Sequence, residues 1–378
     1  LTFQLQSFDL RKQATDRFII GSLVVMLLGH AALWTLVVNN HGLDPGAMLN
    51  NWDSAHYTNI VTNGYNGITW AFYPLYPVLV RAVGFLTGDV LAPAVMGTLL
   101  SLLMFLLFVV GVMWIRRHGA GAEVKVLTPE TRLGWLFFLF APCSYVFHSH
   151  HTESLFLLLM LTAFYLGMSQ RWLPTAVIAG LAALTRNQGV LLALACGLGA
   201  LFTAGTTGDR LRRFLIVGGV SAAIFSLFPL WQYISTGDPL TFVTIQKHWR
   251  PEVSHSAYLR TFWFGNPWQN TNSGSVLRLI FFLILLGSAV PFAMITRQAA
   301  ISLFTFLHIL IMPAGGDLIG AFRYGTVLFP LLFFIGDRLA FAGSRYRVLA
   351  WLLWPLLLYL VWLNFDMTRR FALFKWSY

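Results

Sequence analysis

The sequence predicts an all-α integral membrane protein, and three observations carry that expectation. Of its 378 residues 57% are hydrophobic and 10% are charged, against about 25% charged in a soluble domain. Apolar runs recur at the length of roughly 20 residues that crosses a bilayer as a helix, giving about eleven spans. The basic residues, which set a formal net charge of +11, fall mostly in short connections between those runs. There they orient the chain and meet anionic headgroups; nucleic acid is not the implied partner.

In chain order the predicted spans are 17–38, 90–115, 131–148, 152–170, 173–186, 189–205, 214–234, 276–296, 299–313, 322–341 and 348–365. They form one membrane-embedded domain over 1–378, with no soluble module. Segment 39–89 is a first outer loop. Its part 72–88 opens Pro74-Leu75-Tyr76-Pro77, contains Arg81 and reads as a juxtamembrane helix; a twelfth crossing is the alternative. Residues 235–275 form a second outer loop. Spans 173–186 and 189–205 are short and are separated by Arg186-Asn187-Gln188-Gly189. They make either a tight hairpin or two half-helices meeting within the membrane, where polar backbone survives only against protein or a watery cavity. Residues 1–16 and 366–378 mix apolar and basic side chains and predict amphipathic interfacial helices. The first apolar run is long enough to span and lacks a small-residue cleavage site, so no signal peptide is expected. Cys143 and Cys196 lie in apolar stretches and predict core packing. No Asn-x-Ser/Thr sequon occurs, which leans towards a bacterial source.

A cytoplasmic N-terminus puts fifteen of the 25 Lys and Arg on the inner side, among them Arg116, Arg117, Arg210, Arg213 and Arg297. The Asp53 loop, 148–153, 235–275 and 315–323 then all open on the outer face. The potentially reactive residues gather there.

Asp53 leads them, in Asn51-Trp52-Asp53-Ser54. An unpaired carboxylate at a membrane boundary is costly and usually functional. Partial desolvation makes it more basic than in water, which suits a general base. The competing reading is a helix N-cap. His56, one turn later, can hold the carboxylate or shuttle its proton, while Trp52 and the Pro74-Leu75-Tyr76-Pro77 turn suggest a walled pocket. In His148-Ser149-His150-His151-Thr152-Glu153 a divalent metal is conceivable at His148, His150, His151 and Glu153, yet the spacing fits no standard zinc motif. The favoured reading puts Thr152 at an N-cap and Glu153 in the first turn, with the helix start facing a phosphate. Arg186 and Arg323, with Tyr324 beside the latter, suit a phosphate that a forked guanidinium can hold. An Arg323–Asp317 ion pair is the structural competitor. Gln246, His248 and Trp249, with Trp263 and Trp268 further on, combine rings and polar groups in a way that suits a sugar.

Taken together these motifs resemble the PIG-V family, the GPI mannosyltransferase 2-like branch of the GT-C glycosyltransferases. The resemblance is carried by Asn51-Trp52-Asp53-Ser54, Gly64-Tyr65, Ala71-Phe72-Tyr73-Pro74-Leu75-Tyr76-Pro77, Thr152-Glu153-Ser154-Leu155-Phe156, Thr185-Arg186-Asn187-Gln188-Gly189, Gln246 with Trp249, and Arg323-Tyr324. It implies a GT-C-type multi-span bundle with juxtamembrane helices in the first outer loop and a catalytic acid at the Asp53 position. It also implies a polyprenyl-phosphate sugar donor, mannose as the sugar and transfer by inversion. The expected donor-phosphate contacts are Arg323, Arg186 and Tyr324. The expected sugar or acceptor contacts are Trp52, His56, Tyr73, Glu153, His151, Gln246, His248 and Trp249. No cofactor is required, because the phosphate is already a good leaving group. The partners are the lipid-linked donor, a lipid, glycan or protein acceptor, and membrane lipids. The location implied is a bacterial plasma membrane with the site outside, or the endoplasmic reticulum in a eukaryote. His-Ser-His-His before Thr-Glu and the short loops depart from the family pattern and leave the acceptor open. A lipid or lipid-linked-sugar flippase is the alternative, though no internal repeat supports it. A structural scaffold is the third reading.

Overall fold

In hydrocarbon every backbone N–H and C=O needs an internal partner, so apolar runs of this length have helix as their open solution. The computed structural model describes residues 2–119, 121, 123–248, 273–315, 318–375 and 377, and among these it contains helices and turns but no strand. The helices that matter here are α1 (Thr2–His41), α2 (Asp53–Asn63), α3 (Leu75–Leu86), α4 (Pro93–His118), α5 (Arg132–Leu139), α6 (Glu153–Met168) and α7 (Trp172–Ala183). They continue with α8 (Asn187–Ala200), α9 (Thr207–Thr236), α10 (Ser273–Thr296), α11 (Ala299–Ile311), α12 (Ala321–Thr326), α13 (Phe329–Arg345) and α14 (Arg347–Ala372).

Among the described residues five stretches are long and apolar enough to cross a membrane: Ala14–His41, Pro93–His118, Thr207–Thr236, Val276–Thr296 and Arg347–Ala372. Their outward faces are apolar too. Val25, Leu28, Leu227, Leu230, Trp351 and Leu358 are all exposed. A helix that is apolar on its unpacked side faces lipid rather than water. The chain is thus a multi-span helical membrane bundle. Shorter apolar helices, among them α6, α7, α8 and α11, fill its interior.

Several predicted boundaries need correction. Segment 131–148 is not a continuous span, because α5 stops after eight residues, or about 12 Å. Pro142 disfavours helix in the residue before it, and residues 144–148 form a separate 3-10 turn. The α5 helix is instead pressed onto α13, where a Cβ on Gly336 would sit 2.6 Å from the Leu133 carbonyl. Segment 322–341 is broken before Pro330, between α12 and α13. The expected interfacial helix at 1–16 is continuous with the first span. No Gly or Pro occurs before Gly21 to interrupt it. Likewise 366–372 simply extends α14. Spans 173–186 and 189–205 form the hairpin rather than opposed half-helices. The α7 and α8 helices pack side by side, and a Cβ on Gly189 would meet the Ala182 carbonyl at 1.9 Å. At 12 residues, α3 rises about 18 Å, short of a crossing.

Buried polar groups staple the bundle near one end. Asn364 Oδ1 can only accept, so His30 Nε2 donates to it at 2.8 Å. That leaves His30 Nδ1 of the neutral ring to accept from His148 Nε2 at 2.9 Å. Asn364 Nδ2 donates to the Ala141 carbonyl at 2.6 Å and lies 2.8 Å from Ser144 Oγ. The staple joins α1 and α14 to segment 141–148, which leads into α6. At the opposite end of α1, Asp16 pairs with Arg116 and Arg117.

Candidate active site

The segment after α1 is pinned on both sides of Asp53. Asn51 Nδ2 donates to the Phe371 carbonyl at 2.7 Å, and Ser54 Oγ donates to the His150 carbonyl at 3.0 Å. Between them Trp52 adopts φ 53°, ψ −126° just before α2. A bulky residue at positive φ is strained and persists only where its surroundings hold it. Here two buried hydrogen bonds do so, and Asp53 becomes the first residue of α2.

The Asp53 side chain does not cap that helix. Its Oδ2 accepts from Arg323 Nη1 at 2.6 Å. The same guanidinium donates through Nε to Glu153 Oε1. Arg186 Nη1 reaches that Glu153 oxygen at 2.6 Å, and Arg186 Nε donates to Gln188 Oε1 at 2.8 Å. The result is a continuous line from Asp53 through Arg323, Glu153 and Arg186 to Gln188. It joins residues from α2, α6, the 184–186 turn, α8 and α12. Two carboxylates and two guanidiniums make it formally neutral. The Glu153 side chain is 0% exposed and both arginines 9%, whereas Asp53 is 30% exposed. Asp53 is the member of the line that faces outward.

Sequence reasoning made Asp53 an unpaired carboxylate with raised basicity; the geometry corrects this. Burial does oppose its ionisation, but the charges of Arg323 and His151 outweigh burial and hold the carboxyl below its ordinary value. His56 sits near it with its ring against Phe72, centroids 4.8 Å apart. Burial lowers the His56 pKa, the Asp53 charge works the other way, and His248 lowers it further.

Two further contacts set the frame. The Tyr324 carbonyl lies near the end of the short α12 helix and accepts from His308 Nε2 at 2.9 Å, steadying the turn that carries Arg323. The Tyr324 ring lies over Gly320, where a Cβ would come within 2.7 Å. The Tyr76 hydroxyl lies 2.8 Å from His150 Nδ1, 2.9 Å from the Gly97 carbonyl and 2.9 Å from Ser101 Oγ. A Cβ on Gly97 would overlap His150 Nδ1 at 1.8 Å, so the glycine is needed there.

The remaining candidates divide. His148 bonds His30, His150 meets Tyr76, His151 Nδ1 meets Ser149 Oγ at 2.9 Å, and Glu153 takes the arginines. Their partners diverge, and among the described residues no group of three or more His, Cys, Asp or Glu is poised for a metal. Thr152 precedes α6 but its side chain makes no capping bond. Glu153 and His151, expected as sugar or acceptor contacts, are fully buried in polar pairings. Tyr73 belongs to an aromatic group with Phe228 and Phe242, at 5.3 and 5.9 Å. Gln246 Nε2 donates to the Phe242 carbonyl within its own turn. His248 is exposed and reaches the site region through its field on His56. Trp249, Trp263, Trp268 and the competitor Asp317 lie outside the described residues. Sequence reasoning missed Gln188 and His308 as parts of this frame. His308 carried a signal, being an ionisable side chain inside an apolar run.

Comparison with known proteins adds one match. A family model described as "Mannosyltransferase (PIG-V)" matches residues 36–227, a stretch holding Asp53, Glu153 and Arg186. No curated protein and no solved structure matches.

Proposed function

We propose, because this chain belongs to the mannosyltransferase (PIG-V) family, that it moves mannose from a polyprenyl-phosphate donor to an acceptor hydroxyl at the outer face of its membrane. The observation that carries the reading is the line of Asp53, Arg323, Glu153 and Arg186. Four ionisable side chains from distant segments share one buried pairing in a chain with few charges. Buried ion networks of this kind cost several kcal/mol in desolvation and are weak devices for stability, about neutral or worse against an apolar replacement. The presence of such a network in a chain with few charges supports a chemical role.

In this mechanism the polyprenyl tail stays in the bilayer and the phosphate sits beside Arg323 and Arg186, with Tyr324 at its edge. Asp53 is the general base. It takes the proton of the acceptor hydroxyl, whose oxygen attacks the anomeric carbon from the side opposite the phosphate. The configuration inverts and the phosphate leaves with the bonding electrons. Guanidiniums in a site of low dielectric stabilise the charge that gathers there. Trp52 and His56 flank the base, and segment 241–248 covers the sugar or acceptor.

The test is Asp53→Asn in detergent-solubilised protein, supplied with polyprenyl-phosphate mannose and a hydroxyl acceptor. Loss of a general base lowers turnover by about 10²- to 10⁴-fold, with thermal unfolding still cooperative. Near-normal turnover by a folded variant removes Asp53 as the base. Absence of any new glycosidic bond with the wild-type protein removes the transfer reading in favour of a flippase.

A further inference from the structure

We propose that Arg323 exchanges partners during the reaction: Asp53 holds it in the resting site, and the donor phosphate receives it as Asp53 takes up the acceptor proton. This deepens the transfer reading and rests on it.

The argument begins with charge. Asp53 and Glu153 balance Arg186 and Arg323, so the resting line has no surplus cation for an anionic donor. A phosphodiester brings one negative charge and must compete with a carboxylate already in place. The two carboxylates are not equal competitors. Glu153 is sealed from solvent and its Oε1 takes both arginines, which makes it the fixed anchor. Asp53 is 30% exposed on its side chain and meets Arg323 at a different nitrogen, Nη1, from the Nε that Glu153 holds. Arg323 can therefore turn its outer edge from Asp53 to a phosphate while Nε keeps its hold on Glu153. In this scheme Glu153 is a positioning residue for the guanidinium and touches no substrate.

The charge bookkeeping of the step favours the same exchange. The acceptor O–H proton moves to Asp53 and the acceptor oxygen bonds to the anomeric carbon. The bond from that carbon to the phosphate oxygen breaks with its electron pair going to the oxygen. Asp53 thereby loses its negative charge as the phosphate goes from one negative charge to two, and the total is unchanged. The guanidinium that had balanced Asp53 is released when the leaving group needs it. A hydrogen bond to an ionised partner is roughly twice as strong as one between neutral groups, so Arg323 follows the charge.

A static ion pair and an exchanging one differ in how Asp53 affects anion binding. If the carboxylate occupies Arg323 about nine-tenths of the time, its removal raises apparent affinity about tenfold. The experiment titrates the full chain, in detergent, with a short-chain isoprenyl phosphate. Wild type, Asp53→Asn and Asp44→Asn are compared. Asp44 is an exposed carboxylate of the same loop that caps residues 45–49, so its loss gives an equal change in net charge. Asp53→Asn is expected to bind about tenfold tighter than wild type and Asp44→Asn within about twofold. Binding by Asp53→Asn no tighter than by Asp44→Asn overturns the exchange. If Asp53→Asn fails to fold, wild-type protein with 13C-labelled aspartate serves instead. Isoprenyl phosphate must shift an aspartate carboxylate band in its infrared difference spectrum, and unchanged bands overturn the proposal. A sugar-transfer assay is run alongside. Wild-type turnover by Asp53→Asn would sink the base assignment, while the binding comparison still decides the exchange.

Discussion

The two ends of the bundle each hold aspartate with two arginines nearby, and they use the combination differently. At one end Asp16 meets Arg116 at 3.1 Å and Arg117 at 2.6 Å. These arginines are sequence neighbours in the last turn of α4, where cations also suit the helix dipole. The Arg117 side chain is 51% exposed and opens the cluster to solvent, while Arg116 is 14% and Asp16 3% exposed. At the other end Asp53, Glu153, Arg186 and Arg323 come from separate segments, and every member but Asp53 is nearly sealed. Residue types are shared; connectivity is not, and only the Asp16 cluster has an arginine half open to solvent. A cluster at a helix end that opens to solvent through one arginine fixes geometry at lower cost. A dry, cross-linked line is costly and holds a charge that can be moved.

The largest expected effect separates the two ends directly. Glu153→Gln leaves two guanidiniums without their shared buried carboxylate and is expected to destabilise the protein by about 3–5 kcal/mol. Asp16→Asn removes a buried carboxylate, but Arg117 is half open to solvent, so the expected cost is smaller, about 1–3 kcal/mol. Thermal unfolding of the two variants in the same detergent measures the contrast. Equal losses would mean that the ends are energetically alike and that the comparison fails.

Next in size is a change that touches no charge. Gly97→Ala would drive a methyl group into the His150 imidazole, whose Nδ1 lies 2.8 Å from the Tyr76 hydroxyl; the backbone carbonyl of His150 accepts from Ser54. Overpacking of this kind costs about 1–3 kcal/mol. The strain is expected to reach the start of α2 and lower turnover more than Gly218→Ala, which meets open space. Equal turnover in the two alanine variants would show that the His150 frame does not position Asp53.

Much of this contrast was legible as composition and little as connection. In a chain with 10% charged residues, Asp53, Glu153, Arg186 and Arg323 stand out against apolar surroundings. Their pairing was not legible, since the partners lie 270 and 170 residues apart and no local period joins them. The multi-span helical class followed from hydropathy, but hydropathy sums composition and cannot see a helix crossing. It therefore read 131–148 as a span, where Pro142 and the close approach of Gly134 and Gly336 leave a short α5. The lowered basicity of Asp53 was hidden for the same reason, because desolvation is visible in the sequence and the arriving guanidinium is not.

The smallest expected effect is in pH dependence, and it sharpens the comparison most. The groups acting on Asp53 are Arg323, His151 and Glu153, with His56 beside it. Its folded pKa lies below the unfolded value of 3.8, so its stabilising contribution is present above that value and lost as pH falls through the folded one. Thirty per cent exposure of the side chain keeps the contribution modest. The unfolding temperatures of wild type and Asp53→Asn should therefore converge as pH falls below 3.8. Activity adds a second reading. The acid limb of kcat/KM reports the free enzyme and that of kcat reports the complex. If the phosphate takes Arg323 from Asp53, the carboxyl becomes more basic once donor is bound. The acid limb of kcat should then lie at higher pH than that of kcat/KM. Coincident limbs would mean that Arg323 stays with Asp53 throughout, and that the buried line, like the Asp16 pair, holds structure without moving charge.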